Sequence, residues 1–211
     1  MLTLYTWTTP NGRKIPIMLE ELGIDYEIKP VNIGKDEQFT PEFLAISPNN
    51  KIPAIVDTDA DGGPLSIFES AAILIYLADK TGKLLPAAGP ARYKVLEWLS
   101  WQIGGLGPML GQVGFFEIRS PEKSALASKR FLEESDRLLA VMDQQLSQHT
   151  YIAGNDYSIA DIACYPWVAG IDAVLKPALG DSLAAKPHLR RWMDLLAARP
   201  AVQRGMALPK V

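Results

Sequence analysis

Two short segments hold the residues whose types and spacing could do chemistry. Residues 49–56, NNKIPAIV, form a loop that leads into a strand and place a proline at the join. Residues 68–73, FESAAI, form a strand end that turns into a helix, with Glu69 and Ser70 at the turn. Both segments therefore offer backbone or side-chain polar groups at the end of a predicted strand.

These segments together suit a small peptide. A proline such as Pro53 is a candidate for a cis peptide bond, which would leave the Ile52 N–H and C=O open to an extended peptide. A helix that begins at Ser70 presents free N–H groups and a positive dipole to a carboxylate. Glu69 beside it can accept hydrogen bonds from an ammonium group. The expected ligand is a peptide with a free α-amino acid end.

Composition sets the broad class of the protein. The chain has 211 residues, of which 48% are hydrophobic and 21% charged, as in a globular protein of one or two domains. Its net charge of -3 predicts no nucleic-acid partner. No apolar run is long enough to span a bilayer, so we expect no membrane partner. Residues 2–5 predict a first strand and not a signal peptide.

The few cysteine and histidine residues limit the possible chemistry. Cys164 is the only cysteine, so an internal disulfide is impossible and a reducing, cytoplasmic compartment is favoured. With His149 and His188 as the only histidines, we predict no metal site, although a site made of carboxylates alone stays open. Cys164 lies on an apolar helix, which predicts a buried residue without a chemical role.

The first 80 residues alternate strand and helix signals, which predicts a small mixed sheet with helices packed against it. Two strands bracket the first helix and are expected to pair in parallel. The last two strands flank the turn sequence DADGGP and are expected to form an antiparallel hairpin. The predicted strands cover residues 2–7, 26–31, 54–56 and 65–68, and the helices residues 15–22, 41–45 and 70–80.

The rest of the chain predicts a linker over residues 83–90 and an all-helical domain over 91–211. Ser120 followed by Pro121 predicts the start of a long amphipathic helix. Residues 158–161, SIAD, resemble a capping box at the start of another helix. The glycines of residues 104–107 lack the Lys-Ser/Thr of a phosphate loop and are expected to break a helix. The predicted domains are thus residues 1–82 and 91–211.

Five motifs in this order resemble the glutathione transferase superfamily, and in particular the bacterial nu-class enzymes, which are glutathione-dependent disulfide-bond reductases. The resemblance covers nearly the whole chain. It implies a thioredoxin-like α/β domain followed by an all-helical domain, with glutathione at their junction. The motifs are TTPNG at residues 8–12, QF at 38–39, SPNNKIPAI at 47–55, FES at 68–70 and GGLGPMLGQ at 104–112.

The resemblance places Thr9 and Asn11 beside the sulfur of glutathione. Many relatives use a tyrosine, serine or cysteine for this task, and Thr9 departs from them. Lowering a thiol pKa from about 8.5 to about 6.5 needs roughly 2.7 kcal/mol of thiolate stabilisation. One or two hydrogen bonds to a charged group, at about 1.5–3 kcal/mol each, supply that. The alternative is structural, with Asn11 as a helix cap and Thr9-Pro10 as an ordinary turn.

The resemblance also implies the residues that bind the rest of glutathione. Glu69 and Ser70 would bind the γ-glutamyl end, and the Ile52 backbone beside Pro53 would pair with the cysteinyl residue. Lys51 and Gln38 would bind the glycyl end. Arg130, on the long helix of the second domain, matches an arginine that reaches the ligand in the nu class, although a surface role is an equal alternative.

Glutathione is therefore expected as co-substrate, attacking a small disulfide through its thiolate. Because the first helix has no cysteine, both exchanging sulfurs must belong to glutathione or substrate, which favours two bound glutathiones or one glutathione disulfide. Conjugation of glutathione to an electrophile and reduction of an organic peroxide need the same thiolate and are the enzymatic alternatives. A glutathione-binding regulatory module is the alternative outside enzymes. The family also implies a homodimer.

Overall fold

The predicted combination of a small mixed sheet with a separate set of helices is confirmed by a computed structural model, which describes all 211 residues. The chain forms two compact units. The first unit comprises Met1–Ala87 together with Arg199–Val211, and the second comprises Ala88–Ala198. The predicted linker, residues 83–90, spans the point where the chain passes from the first unit to the second.

The first unit is built on a four-stranded sheet in the order β2-β1-β3-β4. Strands β1 and β2 are parallel and β3 and β4 are antiparallel, as the sequence predicts. The structure adds that β3 is also antiparallel to β1. Helices α1 and α3 pack against each other and against the sheet. The elements are β1 (Leu2–Thr6), α1 (Pro10–Leu22), β2 (Tyr26–Pro30), α2 (Pro41–Leu44), β3 (Ala54–Asp57), β4 (Leu65–Phe68) and α3 (Ser70–Thr81).

The strand register fixes which chain segments meet at the sheet edge. Tyr5 of β1 pairs with Ala54 of β3, and Ala54 pairs with Phe68 of β4. Because β3 runs opposite to its two neighbours, the end of β1, the start of β3 and the end of β4 lie at the same edge. The loops that hold Thr9, Ile52 and Glu69 therefore all meet the sheet at this edge.

The second unit consists of helices, and three π-helical segments continue or join them at residues 102–106, 114–119 and 171–175. No helix of the structure has the length and apolar character needed to cross a lipid bilayer. The α-helices are α4 (Gly89–Trp101), α5 (Gly107–Val113), α6 (Ala125–Leu146), α7 (Ile159–Gly170), α8 (Lys176–Ala184) and α9 (Pro187–Ala197).

Two sequence predictions in this unit are wrong. The glycines of residues 104–107 do not break a helix, since the chain passes through a π-helical segment directly into α5. The long helix does not begin at Ser120-Pro121, because α6 starts at Ala125 with Ser124 as its N-cap. The intervening residues close the preceding helix instead: the Lys123 ammonium donates to the carbonyls of Phe116 and Glu117 at 3.1 and 2.8 Å.

The last helix, α10 (Pro200–Met206), belongs to the first unit and packs on α1. Its Gly205 lies so close to α1 that an added Cβ would come within 2.5 Å of the Ile17 backbone nitrogen. Arg199 makes a bidentate pair with Glu21 at 2.7 and 2.8 Å. A second ion pair joins Arg204 to Glu20 at 2.6 Å. These contacts with α10 and with Arg199 just before it hold α1 in place.

The capping box predicted at residues 158–161 is confirmed, and it is buried in the second unit. Asp161 is fully buried, and one of its oxygens accepts from Ser158 N–H at 3.1 Å. The other oxygen accepts from Ile152 N–H and from the Trp192 indole N–H, both at 2.9 Å. One carboxylate thus ties the start of α7 to the preceding loop and to α9.

Replacing Asp161 by alanine should lower the free energy of unfolding by about 2–5 kcal/mol, because it leaves the buried Ile152 and Trp192 N–H groups without acceptors. Urea unfolding monitored by tryptophan fluorescence measures this loss. Asp156→Ala, in the exposed part of the same loop, is the matched control and should change the stability by no more than about 0.5 kcal/mol. Equal effects of the two substitutions would contradict this role of Asp161.

Candidate functional site

The predicted site residues of the first unit gather at the sheet edge defined by Tyr5, Ala54 and Phe68. Thr9 and Asn11 follow β1, Ile52 and Pro53 precede β3, and Glu69 and Ser70 follow β4. Two strand spacings separate β1 from β4, which is about 10 Å. An extended tripeptide is also about 10 Å long, so a ligand of that size can reach the residues that follow β1 and those that follow β4.

Thr9 is the N-cap of α1. Its backbone is extended, and its side-chain oxygen accepts a hydrogen bond from Gly12 N–H at 3.0 Å. Since that bond uses the hydroxyl as an acceptor, the hydroxyl proton is left to donate, and no residue of the structure accepts it. Asn11 is not the cap, contrary to the structural alternative considered for it, because it already lies within the first turn of α1.

The turn before α1 leaves no room for a side chain at Gly12. A Cβ there would lie 2.0 Å from the Trp7 carbonyl oxygen and 2.7 Å from Thr6 Oγ1. The Thr6 hydroxyl donates to the Gly12 carbonyl at 2.8 Å, and Thr9 N–H donates to the Trp7 carbonyl at 2.8 Å. This tight turn fixes the position of the Thr9 hydroxyl relative to the end of β1.

The loop before β3 presents the backbone of Ile52. The Ile52-Pro53 peptide bond is cis, as its position suggested. The Ser47 hydroxyl donates to the Lys51 carbonyl at 2.8 Å and anchors the loop just before this bond. The N–H and C=O of Ile52 have no hydrogen-bond partner in the protein. They are therefore open to main-chain pairing with an extended peptide.

The turn into α3 has an unusual backbone at Glu69, whose φ is 72° and ψ is 115°. Such a conformation costs a residue other than glycine about 1–3 kcal/mol, and residues of this kind cluster at functional sites. The Glu69 side chain is exposed and makes no hydrogen bond to the helix end. Ser70, the first residue of α3, is 5% exposed.

The electrostatics of this edge favour anions. Both α1 and α3 follow strands that end here, so both helices have their N-terminal ends at the edge. Each N-terminus carries roughly half a positive charge together with unpaired N–H groups. No side chain caps the N-terminus of α3. The edge can therefore hold two negative groups, one at each helix.

The other predicted residues differ in their surroundings. Gln38 lies in a single 3-10 turn, and its side-chain N–H donates to Asp36 at 3.4 Å while its buried oxygen Oε1 has no partner. Lys51 is exposed beside the Ile52 loop. Arg130 is exposed on α6 in the second unit. The roles predicted for these three residues stay predictions.

Sequence reasoning missed one polar residue of this region, Lys14. It is completely buried on α1, and its ammonium donates to Ser70 Oγ at 3.3 Å. The available signal was its helical position, because Lys14 lies one turn before Met18 and two turns before Leu22 on the apolar side of α1. A lysine within an apolar stripe is more readily taken for a surface residue.

Comparisons with known proteins agree with these features. Residues 8–80 match the family model of the glutathione S-transferase N-terminal domain, and residues 106–200 match that of the C-terminal domain. The chain is 49% identical over 212 residues to the disulfide-bond oxidoreductase YfcG of Escherichia coli strain K12, covering 100% of this chain and 95% of that protein.

Two solved structures that are similar to this protein contain bound glutathione or glutathione disulfide. A glutathione transferase family member from Pseudomonas fluorescens, with two glutathiones bound, is similar to this protein with a TM-score of 0.95 and 46% identity. The match covers 99% of this chain and 93% of that chain. A Pseudomonas putida glutathione transferase, with one glutathione disulfide bound per subunit, has a TM-score of 0.93 and 43% identity, with coverages of 99% and 91%. With both family models matched along its length, the chain belongs to the glutathione S-transferase family.

Proposed function

We propose that this protein is a glutathione-dependent disulfide-bond reductase in which Thr9 and Asn11 stabilise the thiolate of bound glutathione. The observation that carries the proposal is the sheet edge where the Thr9 hydroxyl, the open Ile52 backbone and the N-terminus of α3 occur together without a protein thiol. Cys164, the only cysteine, is buried on α7 in the other unit. The attacking sulfur must therefore come from glutathione.

We propose that residues 1–82 form the glutathione-binding domain. In the binding step, glutathione lies extended along the sheet edge of this domain. Its cysteinyl N–H and C=O pair with the Ile52 backbone next to Pro53, and its α-amino acid end reaches Glu69 and Ser70. The α-carboxylate accepts hydrogen bonds at the α3 N-terminus, and the ammonium pairs with Glu69. We assign Gln38 and Lys51 to the glycyl end, and we assign Arg130 a further contact with the ligand.

In the chemical step, the glutathione thiolate attacks one sulfur of the disulfide substrate. A new S–S bond forms as the substrate S–S bond breaks, and the leaving thiolate takes a proton from water. A second glutathione thiolate then attacks the mixed disulfide, which releases the second substrate thiol and yields glutathione disulfide. The name of YfcG and the ligands of the two Pseudomonas structures support this sequence, since they comprise a disulfide-bond oxidoreductase, two glutathiones and one glutathione disulfide.

The turnover of bis(2-hydroxyethyl) disulfide with glutathione tests the proposed reaction against its alternatives. We expect disulfide reduction to exceed both conjugation to 1-chloro-2,4-dinitrobenzene and reduction of cumene hydroperoxide. Cys164→Ala should keep kcat within about twofold, because the buried thiol takes no part in the exchange. Turnover of the electrophile or peroxide alone would assign the protein to an alternative reaction, and glutathione binding without any turnover would make it a binding module.

Thr9→Ala should lower kcat for the disulfide about 10- to 100-fold, because it removes a hydrogen bond to the thiolate worth about 1.5–3 kcal/mol. It should also cost about 1 kcal/mol of stability, since Thr9 caps α1. Thr9→Ser keeps both the cap and the donor and should retain most of the activity. Steady-state kinetics and calorimetric glutathione binding separate the effect on turnover from that on affinity.

Ser124→Ala is the matched control for the loss of a helix cap, since Ser124 accepts from Ala127 N–H at the start of α6. It should lose a similar amount of stability and keep its turnover. If Thr9→Ala and Asn11→Ala both leave disulfide turnover unchanged, the sulfur lies elsewhere and the proposed mechanism is wrong.

We further propose that the protein is a cytoplasmic homodimer. The family resemblance supports the dimer, and so does the edge strand β4, where Leu65 and Phe68 are 40% and 37% exposed. An exposed apolar edge strand is usually covered in native proteins. Light scattering at micromolar concentration should give twice the chain mass of 23.2 kDa, and a monomer alone would contradict the dimer. Cell fractionation tests the cytoplasmic assignment, which rests on the reducing compartment that a single cysteine favours.

A further inference from the structure

Lys14 is a buried charge to which the proposed mechanism assigns no role. The Lys14 side chain, on α1, is fully buried. Removing an ammonium group from water is energetically unfavourable unless polar groups surround it. The Lys14 Nζ atom lies 3.3 Å from Ser70 Oγ, and Ser70 is itself almost fully buried. The lysine thus links α1 directly to the first residue of α3.

The position of Lys14 on its helix directs its side chain toward the site. Lys14 is the fifth residue of α1, and helical side chains lean toward the N-terminus of their helix. The N-terminal ends of α1 and α3 lie at the same sheet edge. The ammonium group is therefore held at the end of α3 where an anion would bind.

Lys14 is the donor in its hydrogen bond with Ser70. An ammonium group donates and has no lone pair to accept, so Ser70 Oγ is the acceptor. The Ser70 hydroxyl proton must then point to a different acceptor, and no residue of the structure provides one. The Ser70 hydroxyl can therefore donate a hydrogen bond to a ligand oxygen, and it is a poor acceptor for a ligand ammonium.

We propose that Lys14 is a positioning residue that makes Ser70 a hydrogen-bond donor and thereby selects the α-carboxylate of the γ-glutamyl group. This inference rests on the proposed glutathione site and deepens it. With Ser70 committed to the carboxylate, the ligand ammonium is left to Glu69, so the two groups bind in one orientation. The buried positive charge adds to the dipole of α3 and strengthens the preference for an anion at this point.

The test compares glutathione with 4-aminobutyryl-cysteinyl-glycine, an analogue that lacks only the α-carboxylate. Calorimetry should show that the natural protein prefers glutathione to this analogue. Lys14→Met keeps an unbranched side chain of similar length without the charge. It should weaken glutathione binding about 10- to 100-fold and change binding of the analogue by no more than about threefold.

Two further variants control for charge and for the route through Ser70. Lys83→Met removes the same charge from an exposed lysine of the first unit and should leave both affinities unchanged. Lys14→Arg keeps a donor and a positive charge and should restore part of the preference for glutathione. In a Ser70→Ala background, Lys14→Met should have a clearly smaller effect than in the natural protein, because the two residues act together.

Each result supports or overturns the inference. Equal weakening of both ligands by Lys14→Met would mean that Lys14 only supports the fold, and unchanged affinities for both ligands would remove it from recognition. If the natural protein does not distinguish the two ligands, the assignment of the γ-glutamyl site itself fails.

If Lys14→Met does not fold, the ¹⁵N-labelled Lys14 ammonium of the natural protein provides the same test by NMR. Its signal should shift on addition of glutathione and keep its position with the analogue. Equal shifts with both ligands would overturn the inference.

Discussion

The register of β3 between its two antiparallel neighbours is the constraint on which the candidate site depends. The line of pairs from Tyr5 through Ala54 to Phe68 places three chain reversals at one edge of the sheet. Two of these reversals lead directly into helices, so α1 and α3 meet the edge with their N-terminal ends. A shift of β3 by one residue would turn its side chains to the opposite faces and move the Ile52 loop relative to both helices. The geometry of the sheet and the binding of an anionic peptide are therefore linked.

The position of α1 is set from several sides at once. The tight turn at Gly12 joins it to β1, and Lys14 joins it to the start of α3. On a further side, α10 lies against it, with Gly205 at backbone contact and two ion pairs to Glu20 and Glu21. The Arg204 side chain is 58% exposed, so its pair with Glu20 contributes little to stability. The pair of Arg199 with Glu21 is bidentate and partly buried and adds to the close packing at Gly205. These contacts limit the movement of α1 and therefore of the Thr9 hydroxyl at its start.

Local sequence patterns predicted most of the fold and several features of the site. The strands, the parallel pair and the hairpin follow from β-rich runs and their spacing, and the capping box at Ser158 follows from a four-residue motif. The predicted start of α6 was wrong because Ser120-Pro121 is a strong local signal for a helix start. In the structure, Lys123 instead caps the preceding helix by donating to carbonyls six and seven residues earlier in the chain. Other features depend on contacts distant in sequence, such as the packing of α10 on α1 and the burial of Lys14. The backbone conformation of Glu69 could not be predicted either, because no residue type in this segment indicates a positive φ at that position.

The proposed mechanism requires that the N-terminus of α1, with its Thr9 hydroxyl, holds the glutathione sulfur as a thiolate. The most direct measurement is a pH titration of glutathione labelled with ¹³C at the cysteinyl Cβ and bound to the protein, since this carbon shifts when the thiol ionises. We expect the bound thiol to ionise about 1–2 pH units below the free thiol, whose pKa is about 8.5. Ionisation of the bound thiol at the same pH as that of free glutathione would contradict it.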